Sequence, residues 1–225
     1  MIERLSVTKP VWQRAWRKMQ RPLATMALCG VVTISLQGCI EMAIGTAVMG
    51  TIAATDRRTF GAQAEDKTIT IKGETRIPRL LNGAGHVNIA SFNRKVLLTG
   101  EVRDEATRAA VEREMAAVEG VQSVVNELAI AGNSSFAARS SDTLITGKVK
   151  ASFVDTRDLY ANSIKVVTER GIVYLMGRVT QREGDIAGQV TRGVGGVQKV
   201  VKVFEYIGDD ELRQLSATRE NPERK

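Results

Sequence analysis

One seven-residue run occurs twice in this chain, and its recurrence constrains the fold more than any single motif. Val96-Leu97-Leu98-Thr99-Gly100-Glu101-Val102 falls on Val173-Tyr174-Leu175-Met176-Gly177-Arg178-Val179 at a constant offset of 77 residues, with no gap. Val87-Asn88-Ile89 falls on Ile164-Lys165-Val166 at the same offset. Downstream, Gly120-Val121-Gln122-Ser123-Val124-Val125 meets Gly196-Val197-Gln198-Lys199-Val200-Val201, with one residue lost between. Upstream, Asp66-Lys67-Thr68-Ile69-Thr70 matches Asp142-Thr143-Leu144-Ile145-Thr146. Apolar positions, glycines and spacings agree together. The chain is therefore expected to hold two copies of one small unit, at 65–130 and 140–207.

Each copy shows the same order of signals. In the second, Ser141 or Asp142 can cap a helix. Ile145, Val149 and Phe153 then recur on one helical face. Ile164 to Thr168 alternates, Glu169-Arg170-Gly171 turns, and Ile172 to Val179 reads as a strand, which together make a hairpin. A helix follows over 182–195, weakened by Gly184, Gly188, Gly193 and Gly195, and Gln198 to Ile207 is the last strand. The order α-β-β-α-β predicts an α+β fold, with two helices covering one face of a small sheet. In the first copy, Gly73 and Pro78 interrupt the leading segment and Ile69 and Ile71 alternate as in a strand, so that helix is expected to be short or distorted. Its second helix, Asp104 to Val118, is the better one. Residues 131–139 read as a polar linker and 208–225 as a disordered charged tail.

Ahead of the repeats, Leu23 to Leu36 is an uncharged apolar run that follows a basic stretch. It is too short for a membrane-spanning helix, which needs about 20 residues. It fits a secretory leader instead, with Met1 or Met19 as initiator. The run ends in Leu36-Gln37-Gly38-Cys39, which resembles a bacterial lipobox. That resemblance implies cleavage of 1–38, acylation of Cys39 and a tether over 39–64. Ile40, where aspartate would retain the protein in the inner membrane, implies passage to the outer membrane. The chain carries 32 basic and 25 acidic residues, net +7. The leader holds six basic residues and one acidic, so the mature part is only +2, and the high charge no longer argues for nucleic acid. One cysteine in the mature chain rules out an internal disulfide.

The hairpin ending Val-x-Leu-x-Gly-x-Val, then a helix, then Gly-Val-x-x-Val, resembles the BON domain. Two copies after a lipobox resemble the dual-BON outer-membrane lipoproteins. The resemblance implies binding of anionic phospholipid (phosphatidylglycerol or cardiolipin) by the second domain, support of outer-membrane integrity, and enrichment at division sites. In that family the first helix of the second domain carries the lipid contact, often with an aromatic where this chain has Leu144.

No residue set suggests an enzyme, a cofactor or a metal. His86 is the single histidine and reads as a loop or solvated residue. Ser134, Ser135, Ser140 and Ser141 have no neighbouring base. Carboxylates are spread over helix faces and turns and read as solvated. Gly193, Gly195 and Gly196 lack the Lys-Ser/Thr of a phosphate cradle and suit a helix end. The charge split is more informative. Residues 65–130 hold nine basic and ten acidic residues, and residues 140–207 ten and seven. A positive excess suits an anionic surface. Leu144, Lys148 and Ala151 form a stripe beside the inward face of the helix, with Gly147 allowing close approach. Leu144 then either meets a bilayer interface or packs against the first domain. A membrane-binding lipoprotein and an envelope protein–protein module both remain open. No nucleic-acid partner is expected.

Overall fold

The computed structural model describes residues 56–220, with side chains to residue 215. The leader over 1–38, Cys39 and residues 40–55 lie outside the described residues. The first domain comprises α1 (Phe60–Leu81), β1 (Gly85–Phe92), β2 (Lys95–Val102), α2 (Glu105–Ala116), β3 (Ser123–Asn126) and β4 (Ala129–Ile130). The second comprises α3 (Phe136–Val154), β5 (Ile164–Glu169), β6 (Ile172–Val179), α4 (Gln181–Arg192) and β7 (Lys199–Tyr206), followed by α5 (Asp209–Glu220).

The two hairpins close in the same register. Val87 pairs with Gly100, and Ile164 with Gly177, so the repeated glycines occupy one equivalent position. A Cβ at Gly100 would lie 2.1 Å from the His86 carbonyl oxygen, and one at Gly177 would lie 2.5 Å from that of Ser163. Glycine lets the two strands cross closely here. Each hairpin turns on two residues with positive φ: Asn93 (51°) and Arg94 (64°), then Arg170 (54°) and Gly171 (72°). Positive φ at both central residues is the requirement of a type I′ turn. The third strand runs parallel to the central one in each sheet. In the second domain it is continuous. In the first it breaks at Glu127-Leu128, and Leu128 drops into the core.

In each domain the leading helix is stapled to the hairpin by an aspartate. Asp66 of α1 accepts from the N–H groups of Asn93 (2.7 Å) and Arg94 (2.8 Å), and Asp142 of α3 accepts from those of Arg170 and Gly171, both at 2.8 Å. Turn N–H groups cannot all find partners within a tight hairpin, and a carboxylate supplies strong charge-assisted ones. Burial opposes the Asp66 anion. Bonds from Ser91, the Arg94 N–H, Arg58 and the Asn93 N–H outweigh that and hold the carboxyl below the ordinary range. Asp142 is therefore a staple and not the helix cap. Ser135 caps α3 instead, accepting from the Ala138 N–H at 3.2 Å, so the helix begins inside the expected linker.

Several expectations are corrected. The leading helix of the first domain is neither short nor distorted: it has 22 residues. Ile69, Gly73, Ile77 and Leu81 form a buried stripe every four residues, while Ile71 faces out. Gly73 is part of that stripe, since a Cβ there would come within 2.7 Å of Met115 Sδ. Pro78 costs one backbone bond near the helix end. Gly184 and Gly188 bring α4 close to β7: Cβ atoms there would lie 2.9 Å from Tyr206 and 2.7 Å from Lys202. They serve packing. The tail is helical over Asp209–Glu220, and its start is held by the ion pair between Glu211 and Arg178. Residues 221–225 lie outside the described residues.

The two domains are joined back to back. Helices cover one face of each sheet, as in the clusters built on Val96, Leu98 and Val111 and on Val149, Phe153 and Leu175. The opposite faces meet each other: Ala90, Phe92 and Leu97 pack on Val167, Tyr174, Met176 and Val203. The layers are therefore helix, sheet, sheet, helix. Residues 56–58, expected as part of the tether, strap this joint and are largely buried. Arg57 donates to both Glu183 carboxylate oxygens (2.5 and 2.8 Å) and to the Arg178 carbonyl (2.8 Å), in the second domain. Arg58 pairs with Asp66 of the first domain at 2.8 Å and lies 4.2 Å above the Phe92 ring. The Arg57 and Glu183 side chains are only 4% and 8% exposed. Breaking a buried pair strands the remaining charge. Arg57→Ala is therefore expected to lower the unfolding free energy by about 3 kcal/mol in urea titration. A loss within about 0.5 kcal/mol, the range of ordinary surface changes, would show that the strap does not hold.

Candidate functional site

α3 is apolar on two opposite sides, and that sets it apart from an ordinary surface helix. Its inner side places Ile145, Val149 and Phe153 in the second core, with Asp142 on the hairpin turn. At 3.6 residues per turn, Phe136, Leu144, Gly147, Ala151 and Val154 fall on the opposite side. All five are exposed, Phe136 at 81%, Leu144 at 66% and Val154 at 74%. Leu144 is therefore not packed against the first domain. Lys148 and Lys150 flank the stripe and are exposed. The only acid within α3 is Asp142, which is buried, so the outer face offers apolar groups and cations with no carboxylate among them.

Gly147 is notable for what it does not touch. A Cβ built there meets nothing within 4 Å. The glycine thus costs helix stability, about 1 kcal/mol relative to alanine, with no packing within the chain to offset it. Phe136 and Val154 extend the stripe beyond the four residues expected from sequence. Phe136 escaped that reading because the cap was placed at Ser141 or Asp142, six or seven residues late, and Val154 because it lies one residue past Phe153, the last inward position named there. Exposed phenylalanine and valine at helical spacing from Leu144 are the signal that finds them.

The remaining candidates do not gather into a site. His86 lies in β1, half-buried, not in a loop. Among the described residues no group of His, Cys, Asp and Glu can hold a metal ion. Ser135 serves as the α3 cap. Gly193 ends α4, and Gly196, at φ 102°, turns the chain toward β7. The carboxylates depart most from expectation: Asp56, Asp66, Glu101, Asp142, Glu169 and Glu183 are all buried. For Glu183, burial opposes the anion, but Arg57 and the Thr180 N–H hold the carboxyl below its ordinary range. No described helix is long and apolar enough to cross a membrane.

Residues 63–132 and 141–208 each match the family described as BON domain. The chain is 38% identical over 189 residues to the "Outer membrane lipoprotein DolP" of Haemophilus influenzae, covering 83% of this chain and 97% of that protein. It is 29% identical over 154 residues to the "21 kDa hemolysin" of Actinobacillus pleuropneumoniae, covering 68% and 79%. The "Osmotically-inducible protein Y" of Escherichia coli is 29% identical over 117 residues, covering 51% of this chain and 58% of that protein.

Gly147→Ala tests the reading of α3 as a helix with an unused outer face. It is expected to raise the unfolding free energy by about 0.5–1 kcal/mol, measured in urea. Destabilisation would mean that the glycine is needed for internal packing.

Proposed function

The chain belongs to the BON domain family, and on that premise we propose that it is an outer-membrane lipoprotein whose second domain recognises anionic phospholipid. The observation that carries the reading is the outer face of α3, with its exposed apolar stripe flanked by lysines and free of acids. Acylation at Cys39 would hold the chain at the periplasmic face of the outer membrane. Two or more acyl chains make an essentially permanent anchor, because each buried methylene contributes about 0.8 kcal/mol. The likeness to the outer membrane lipoprotein of Haemophilus influenzae supports the location. The protein acts as a binding module and not as an enzyme, in support of outer-membrane integrity, with concentration at division sites as the finer expectation.

The mechanism needs two modest terms. Leu144, Phe136 and Val154 would enter the interface between headgroups and acyl chains. A fully buried apolar side chain contributes about 1.5–3 kcal/mol, and an interfacial one part of that. Lys148 and Lys150 would meet lipid phosphates at about 1 kcal/mol each. Gly147 and Ala151 leave the helix axis free to approach the surface.

Sedimentation of residues 40–225 with vesicles tests this. Leu144→Asp should weaken binding to phosphatidylglycerol vesicles by at least about tenfold, since it removes burial and adds repulsion. Lys148→Ala should weaken it less, and binding should fall with salt as screening shortens to about 3 Å at 1 M. Undiminished binding by a folded Leu144→Asp variant would reject this surface and favour a protein partner.

A further inference from the structure

Four of the six buried carboxylates among the described residues are well satisfied, Asp56 by Arg58. Asp66 and Asp142 staple turns and Glu183 holds Arg57. Glu101 and Glu169 are different, and both stand at the seam between the domains. Along β2, Leu97 lies in the cross-domain cluster, so Thr99 and Glu101 project toward the second sheet with it. Glu101 is fully buried. Its Oε2 accepts from the Ser134 N–H at 3.3 Å, whereas Oε1 has no hydrogen-bond partner. The nearest cation is Arg170 Nη1, 3.9 Å away on a half-exposed side chain. Thr99, equally buried, also has an unpartnered hydroxyl. Glu169, two residues along β5 from Val167 of the same cross-domain cluster, projects toward the first sheet and is 6% exposed.

A buried carboxylate oxygen without a partner is costly, so this end of the seam lacks a positive charge or a donor. No metal-holding group exists among the described residues. The smallest remaining cation is a proton. The surrounding charges favour it. Burial first, and then the Glu101 and Asp142 carboxylates, push the Glu169 carboxyl up to about 7, while Arg139 and Arg170 act in the opposite direction. Burial, then Glu127 and Glu169, push the hydroxyl of Tyr174 on β6 up to about 12. His86 stands opposite Glu101 across the β1–β2 pair.

We propose that one proton held between Glu101 and Glu169 closes this end of the seam, and that the two sheets loosen there when it leaves. The docking of the two domains is then pH dependent. A carboxyl whose folded value lies above its unfolded one binds the proton more tightly in the closed state. Closure is therefore firmest in acid. It weakens as pH rises from the ordinary carboxyl value of 4.5 through about 7, and levels off above.

Amide hydrogen exchange on the full-length lipoprotein in detergent micelles tests the device. After correction for intrinsic rates, protection of the amides of Thr99 and Glu101 should fall by at least about tenfold between about pH 5 and about pH 8. Glu169→Gln should keep its acid-level protection at the higher pH, and Glu101→Gln should move the midpoint toward acid. The carboxyl carbon shift of Glu169 in the unmodified protein should titrate near 7. Equal protection at both pH values would overturn the proposal. So would an undiminished fall in Glu169→Gln, or a Glu169 carboxyl that titrates in the ordinary range.

Discussion

Everything in this molecule depends on the burial of two sheet backs against each other. A three-stranded sheet with helices on one side leaves its other side open, and a domain of this size has little core to spare. Here each sheet uses the other as its second cover. Phe92 and Leu97 meet Tyr174, Met176 and Val203 across the seam. The central strands are consequently buried on both faces, and read as nearly continuous apolar runs without the alternation of a half-solvated antiparallel strand. The arrangement also frees the outer faces of the helices. Once both sides of each sheet are covered, α3 has no internal partner left for its second apolar side.

The staples make that free face precise. Asp142 fixes α3 to the turn between β5 and β6, and Ile145, Val149 and Phe153 fix its rotation. The helix cannot roll to hide Leu144 or Val154 without pulling a phenylalanine out of the core. Exposure of this stripe is thus imposed by packing. Arg57 and Arg58, inside the span expected as tether, grip the two domains separately, so the described chain begins at the seam itself.

Much of this was legible in sequence because the signals were local or repeated. The constant offset located both hairpins, and the glycines 100 and 177 proved equivalent. Asp104 does cap α2. The period of Ile145, Val149 and Phe153 correctly named the inner face of α3. What escaped was long-range. Gly73 was read by propensity as a breaker, although its neighbour Met115 makes it a packing residue. Arg57 had no partner within a hundred residues of sequence, so its ion pair with Glu183 could not be read from the local pattern. Asp142 looked like a cap because carboxylates near helix starts usually are, and only the hairpin's return shows what it binds. Glu101 sits in a pattern whose partner copy has Arg178, so the repeat itself concealed a buried acid at the seam.

The central claim is that the outer face of α3 enters an anionic bilayer. A single tryptophan can report this directly, because the chain's two tryptophans, Trp12 and Trp16, both precede Cys39. Residues 40–225 carrying Leu144→Trp would be mixed with vesicles of phosphatidylglycerol or of phosphatidylcholine. The account predicts a blue-shifted emission with phosphatidylglycerol, quenched by brominated acyl chains, and no change with phosphatidylcholine. A water-like, unquenched emission from protein that nonetheless sediments with phosphatidylglycerol vesicles would contradict it.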